Sequence, residues 1–81
     1  MNDIEIKNKI KQIFYEVFPT LDEQNFSWNK EQKDFQNWDS FTQLNLITLI
    51  ETTFEIEISL DDSIKIKSAN DFLNCVVKNL S

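Results

Sequence analysis

The sequence predicts an all-α fold: a four-helix bundle of three longer helices and one short one, with a long loop between helices one and two. Three observations carry this reading. Apolar residues recur at helical spacing in three separate segments. Residues suited to helix capping stand just ahead of the second, third and fourth helical stretches. The one alternating run, Glu55-Ile56-Glu57-Ile58, has no second strand to pair with and reads as an extended connector. At 81 residues the chain forms one domain, residues 1–81, near the size where a single core is only just sufficient.

The first helix is expected over Asp3 to Phe18, with Ile6, Ile10, Ile13, Phe14, Val17 and Phe18 on one face. Asn2 or Asp3 can cap its start, and Pro19 stops it because the residue before a proline resists the α region. Thr20 to Asp39 shows no sustained period. Phe26, Trp28, Phe35 and Trp38 punctuate it and are expected to pin it onto the helices. The second helix should start at Ser40 and end at Thr53 or Phe54. Ser40 and Gln43 have the Ser-x-x-Gln spacing of a capping box. Leu46, Ile50 and Phe54 form a core stripe, with Ile47 beside it. Phe41, Leu44 and Thr48 form a second stripe, so either this helix is buried on two sides or the second stripe meets a partner. Leu60 to Ile64 is a short helix with Ser59 as its cap. The last helix begins at Ser68, with Asp71 at capping-box spacing and a stripe of Ala69, Phe72, Leu73, Val76, Val77 and Leu80. Cys75 on that helix reads as a small packing residue.

Composition removes whole classes of function. The chain has no histidine and one cysteine, so neither a Ser-His-Asp nor a Cys-His nucleophile system can be assembled, and no metal-ligand cluster is expected. It has no glycine, which excludes a Gly-rich phosphate loop and leaves asparagine for positions needing positive φ. A net charge of −6, with eight lysines and no arginine, argues against nucleic acid. No apolar stretch approaches the roughly 20 residues of a membrane span, and no signal peptide is read at the N-terminus. One cysteine cannot form an internal disulfide, which suits a reducing, cytoplasmic compartment. An enzyme is therefore not expected. Ser40, at a helix start beside Asp39, reads as a covalent attachment point that another protein must activate.

With this layout, Asp39-Ser40-Phe41 resembles the Asp-Ser-Leu motif of acyl carrier proteins. Trp38 to Leu46 is similar to the W-D-S-L-x-x-L-x-L form of stand-alone carriers. Leu49 to Ile58 resembles the family's L-E-x-x-F-x-I-x-I passage, and Ile66 to Phe72 resembles the entry to its last helix. The likeness runs from Trp38 to Leu80 without a gap, and helix one and the long loop agree in position. It implies a 4′-phosphopantetheine arm on Ser40, attached from coenzyme A by a phosphopantetheinyl transferase, whose thiol holds an acyl group as a thioester. Asp39 would assist the modification, near the transferase's magnesium ion. The chain would be a monomeric substrate of acyl or aminoacyl ligases and transferases, not a membrane protein and not an enzyme.

The departures from the family pattern narrow the expectation. Asn37 stands where glycine is common, and Phe41 replaces leucine. Thr42, Gln43, Asn45 and Thr52 stand where fatty-acid carriers usually display acids, with Glu51 remaining. Docking is then expected to rest on Phe41, Leu44, Thr48 and Glu51, more apolar than electrostatic. This points to a specialised lipid, polyketide or glycan-modification pathway. Two alternatives stay open: an aminoacyl carrier of the D-alanyl type, and an unmodified helical interaction domain using the Phe41/Leu44 stripe. Any shelter for the cargo is expected along Leu44, Ile47, Ile64 and Ile66.

Overall fold

Helix α1 spans Asp3–Val17 in the computed structural model, which describes residues 2–80. Asn2 caps it, its side-chain oxygen accepting from the Glu5 amide at 2.9 Å. The expected apolar face is the buried one: Ile6, Ile10, Ile13 and Phe14 lie inside. The helix ends one residue earlier than the sequence suggests. Phe18 is already extended, and its amide closes the last turn on the Phe14 carbonyl at 2.9 Å. Helices α2 (Ser40–Phe54), α3 (Leu60–Lys65) and α4 (Ala69–Leu80) complete the bundle, and no strand occurs among the described residues. Both α2 and α4 pack on α1.

The core is continuous through these three helices. Phe14, Phe72, Ile10, Leu46, Ile50 and Val76 are the largest side chains with almost no solvent contact. Phe14 is the hub of an aromatic cluster, with ring centroids 5.7 Å from Trp38, 5.9 Å from Phe72 and 6.0 Å from Phe26. Such edge-to-face pairs add to simple area burial. The long loop is held by this cluster as expected. Phe35 packs against Phe18 at 4.8 Å and Trp38 at 5.1 Å, and Trp28 stands edge-on to Phe26 at 5.0 Å.

The loop also carries backbone structure that periodicity does not reveal. Gln32–Asp34 forms one 3₁₀ turn. The Gln32 amide donates to the Lys67 carbonyl at 2.6 Å, and the Asn70 amide to the Trp28 carbonyl at 2.9 Å. These bonds strap the loop to the connection between α3 and α4 and to the first turn of α4.

Two helix ends differ from the sequence reading. The only positive-φ residue among the described residues is Glu55, at φ 55° and ψ 48°, and no asparagine serves this purpose. The Glu55 and Ile56 amides both return to the Glu51 carbonyl, and half-buried Ile56 packs on the core. That is a left-handed helix terminus made without glycine. On α4 the inward face contains Ala69, Phe72, Cys75 and Val76, with Leu73 half-buried, while Val77 and Leu80 are largely exposed. Cys75 takes the inner place because it lies three residues from Phe72 on the same face. Ser68 caps α4 through the Asp71 amide at 3.2 Å, but the Asp71 carboxylate reaches back to the Lys67 amide at 2.8 Å, one residue short of a closed box.

Candidate functional site

The start of α2 is positioned from both sides. Trp38 is buried at 5% exposure, and its indole Nε1 donates to Gln43 Oε1 at 2.7 Å. Gln32 Nε2 donates to the Trp38 carbonyl at 3.0 Å. Trp38 is therefore an anchor, and the chain leaves it outward: Asp39, Ser40 and Phe41 are all exposed.

The cap is Asp39, not Ser40. The Asp39 side chain accepts from the Thr42 amide at 2.8 Å, and Ser40 is the first residue of the helix. The Ser40–Gln43 capping box expected from the sequence does not form. A carboxylate is the stronger acceptor at the positive end of a helix, and Asp39-x-x-Thr42 offers the same spacing one residue earlier. Gln43 is drawn elsewhere. Its Nε2 donates to the carbonyls of Ser63 at 2.9 Å and Ile66 at 3.3 Å. The consequence for Ser40 is direct: its hydroxyl makes no hydrogen bond among the described residues and faces solvent on a fixed helical turn. The hydrogen bond from the Thr42 amide also holds the Asp39 carboxyl below the usual carboxylate range, so Asp39 is ionised at neutral pH.

The four residues expected to meet a partner lie in different situations. Phe41 is 81% exposed and Leu44 63%, so α2 is not buried on two sides. Thr48 is exposed, with its hydroxyl donating to the Leu44 carbonyl at 2.9 Å. Glu51 is half-buried and accepts from the Ile58 amide at 2.8 Å, which fixes the connector after α2. Thr42 and Gln43, read in the sequence as part of the displayed face, are half-buried; Gln43 bonds to the buried Trp38 indole, and the Thr42 hydroxyl donates to the Asn37 carbonyl at 2.8 Å. Asn37, read as tolerant of left-handed backbone, does not adopt it.

Sequence reasoning named Ile64 of α3 but missed Leu60 beside it. Leu60 is 77% exposed and Ile64 62%, and with Ser40, Leu44 and Ile47 they line an open groove between α2 and α3. Gln32, Gln43, Ser63 and Lys67 form its more polar side. Ile66, grouped in the sequence reading with Leu44, Ile47 and Ile64, is instead a core residue at 3% exposure. The signal available in the sequence was the pair Leu60/Ile64, four residues apart on a helix too short to bury them.

No group of His, Cys, Asp and Glu among the described residues is placed to hold a metal ion. No described helix is long and apolar enough to cross a membrane. No family model matches the chain, and no curated protein does. Among solved structures, the chain is similar to the holo acyl carrier protein from Geobacter metallireducens. The TM-score is 0.78 at 28% identity, over 93% of this chain and 85% of that one. Fold and likeness define a carrier protein and not a catalytic enzyme. The resemblance read from the sequence is matched by the fold: the chain is built like an acyl carrier protein.

Proposed function

We propose that this protein carries an acyl group as a thioester on a 4′-phosphopantetheine arm joined to Ser40. The observation that carries the reading is the exposed, hydrogen-bond-free Ser40 hydroxyl at the first turn of α2, made available because Asp39 supplies the cap. A phosphodiester at this position suits the positive end of the helix. The likeness to a holo carrier supports the same reading.

Ser40 Oγ forms one new bond to phosphorus as a P–O bond of coenzyme A's pyrophosphate breaks; its proton passes to the transferase and adenosine bisphosphate leaves. Asp39, ionised and one residue away, is the group offered to the transferase's magnesium ion. When bound, the arm supplies a terminal thiol that exchanges acyl groups. Phe41 and Leu44 present the apolar surface beside Ser40 on which the transferase and acyl or aminoacyl ligases dock. Tethering makes each delivery within a docked complex intramolecular. The near absence of free acids along this face of α2 favours a specialised lipid, polyketide or glycan-modification pathway, and the single cysteine suits a reducing, cytoplasmic compartment.

The test uses a broad-specificity transferase and coenzyme A bearing a fluorophore. The wild-type protein becomes labelled to completion and Ser40→Ala remains dark while keeping its helical circular dichroism. A wild-type protein that stays unlabelled, or a Ser40→Ala variant that labels equally, refutes the proposal.

A further inference from the structure

One side chain bonds across the groove that contains Ser40, from α2 to the end of α3. Gln43 lies one turn along α2 from Ser40 and lines the groove. Its amide crosses from α2 to the C-terminal end of α3 and uses both of its ends. Oε1 accepts from the Trp38 indole at 2.7 Å, and Nε2 donates to the carbonyls of Ser63 at 2.9 Å and Ile66 at 3.3 Å. Trp38 and Ile66 both belong to the core, at 5% and 3% exposure. The same core includes Leu46 and Phe72, packed with no solvent contact at all. α3 has no buried residue of its own, so this clamp is a main attachment of α3 to α2. To pass between the helices, a chain would have to break three hydrogen bonds and leave the indole N–H and the Ile66 carbonyl unpaired, while the Ser63 carbonyl keeps the Ile66 amide.

We propose that Gln43 bars the helical core to the cargo, which rests in the surface groove against Leu44, Ile47, Leu60 and Ile64. The inference rests on the carrier reading of Ser40 and adds the class of cargo. Three largely exposed apolar side chains, Leu44, Leu60 and Ile64, with half-buried Ile47 can cover a short chain, whereas the later methylenes of a long one would stay in water. The groove's other side, Gln32, Ser63 and Lys67, accepts polar substituents. Short acyl or aminoacyl groups fit this site, and long alkyl chains do not. Gln43 is thus a specificity-determining residue.

The experiment compares wild-type proteins loaded by the transferase from butanoyl- and tetradecanoyl-coenzyme A. Intact mass shows loading before any comparison is made; failure to load Ser40 would overturn the carrier reading itself, and is seen at that step. With both forms in hand, melting temperatures should agree within about 3 °C, because the added methylenes gain no burial. Hydroxylamine should also cleave the two thioesters at similar rates. A tetradecanoyl form melting more than about 3 °C higher, with a protected thioester, would mean that the chain enters the core and would overturn the inference. Gln43→Met keeps the side chain's length and removes the clamp. In that variant the long chain should raise the melting temperature relative to the short one. If it does not, a residue other than Gln43 bars the core, and the assignment to Gln43 is wrong. Should Gln43→Met fail to fold, Gln43→Glu, which keeps an acceptor for the Trp38 indole and loses the bonds to the Ser63 and Ile66 carbonyls, is read in the same way.

Discussion

Asp39 and Ser40 are neighbours that could each cap α2, and which one does so determines what the other is free to do. The carboxylate takes the Thr42 amide, and the hydroxyl is left to solvent. The Asp39 carboxyl has its folded pKa below the ordinary 3.8, chiefly through that amide. Its stabilising contribution is therefore complete above the ordinary carboxylate range and is lost as pH falls through the lower folded value. Asp39→Asn retains an acceptor for the cap but not the charge. The melting-temperature gap between wild type and Asp39→Asn should be present near pH 6 and close as pH falls below the ordinary carboxylate range. A gap that widens in acid would contradict this assignment. At this scale the sequence made Ser40 legible and its cap illegible. Both Ser40-x-x-Gln43 and Asp39-x-x-Thr42 have cap spacing, and the choice is made by partners of Gln43 lying 20 and 23 residues away.

Among the elements, helix existence and order were readable because each long helix buries an apolar stripe at its own period. The ends were less so. Without glycine, α2 terminates on Glu55 in a left-handed conformation, which costs a non-glycine residue about 1–2 kcal/mol. Glu55→Gly should raise the unfolding free energy by roughly 0.5–1 kcal/mol, somewhat less than the relieved strain because glycine is freer when unfolded. Denaturant titration measures this, and a loss of stability would show that the Glu55 side chain has another role. On α4 the apolar pattern reaches Val77 and Leu80, yet these are exposed, while Cys75 lies inward as the packing residue it was read to be. Burial pushes the Cys75 thiol up from its ordinary value. Iodoacetamide should therefore modify native Cys75 far more slowly than unfolded protein, and rapid native alkylation would contradict the packing.

For the whole molecule, the net charge of −6 and the character of the docking face are separate matters. The acids are spread over the surface, while the face around Ser40 presents Phe41, Leu44, Leu60 and Ile64. Phe41→Ala should lower kcat/KM for transferase modification by roughly fivefold or more while leaving the fold intact. Raising salt from low to moderate concentration should change binding only weakly. A steep salt dependence would show that the spread acids, and not this apolar face, set the encounter. The strap from Gln32 and Trp28 to the connection before α4 and to the first turn of α4 could not be read from periodicity. It is made by backbone groups, and backbone hydrogen bonds leave no side-chain pattern. The aromatics that hold the same loop were readable, because large apolar side chains in a small polar segment have few places to go but the core.

The central claim, an arm on one serine, is tested most directly by fragmenting the transferase-treated protein in a mass spectrometer and locating the added group. The account predicts a single phosphopantetheine on every molecule, with the fragment ions assigning it to Ser40. No addition, or an addition at another residue, would contradict it.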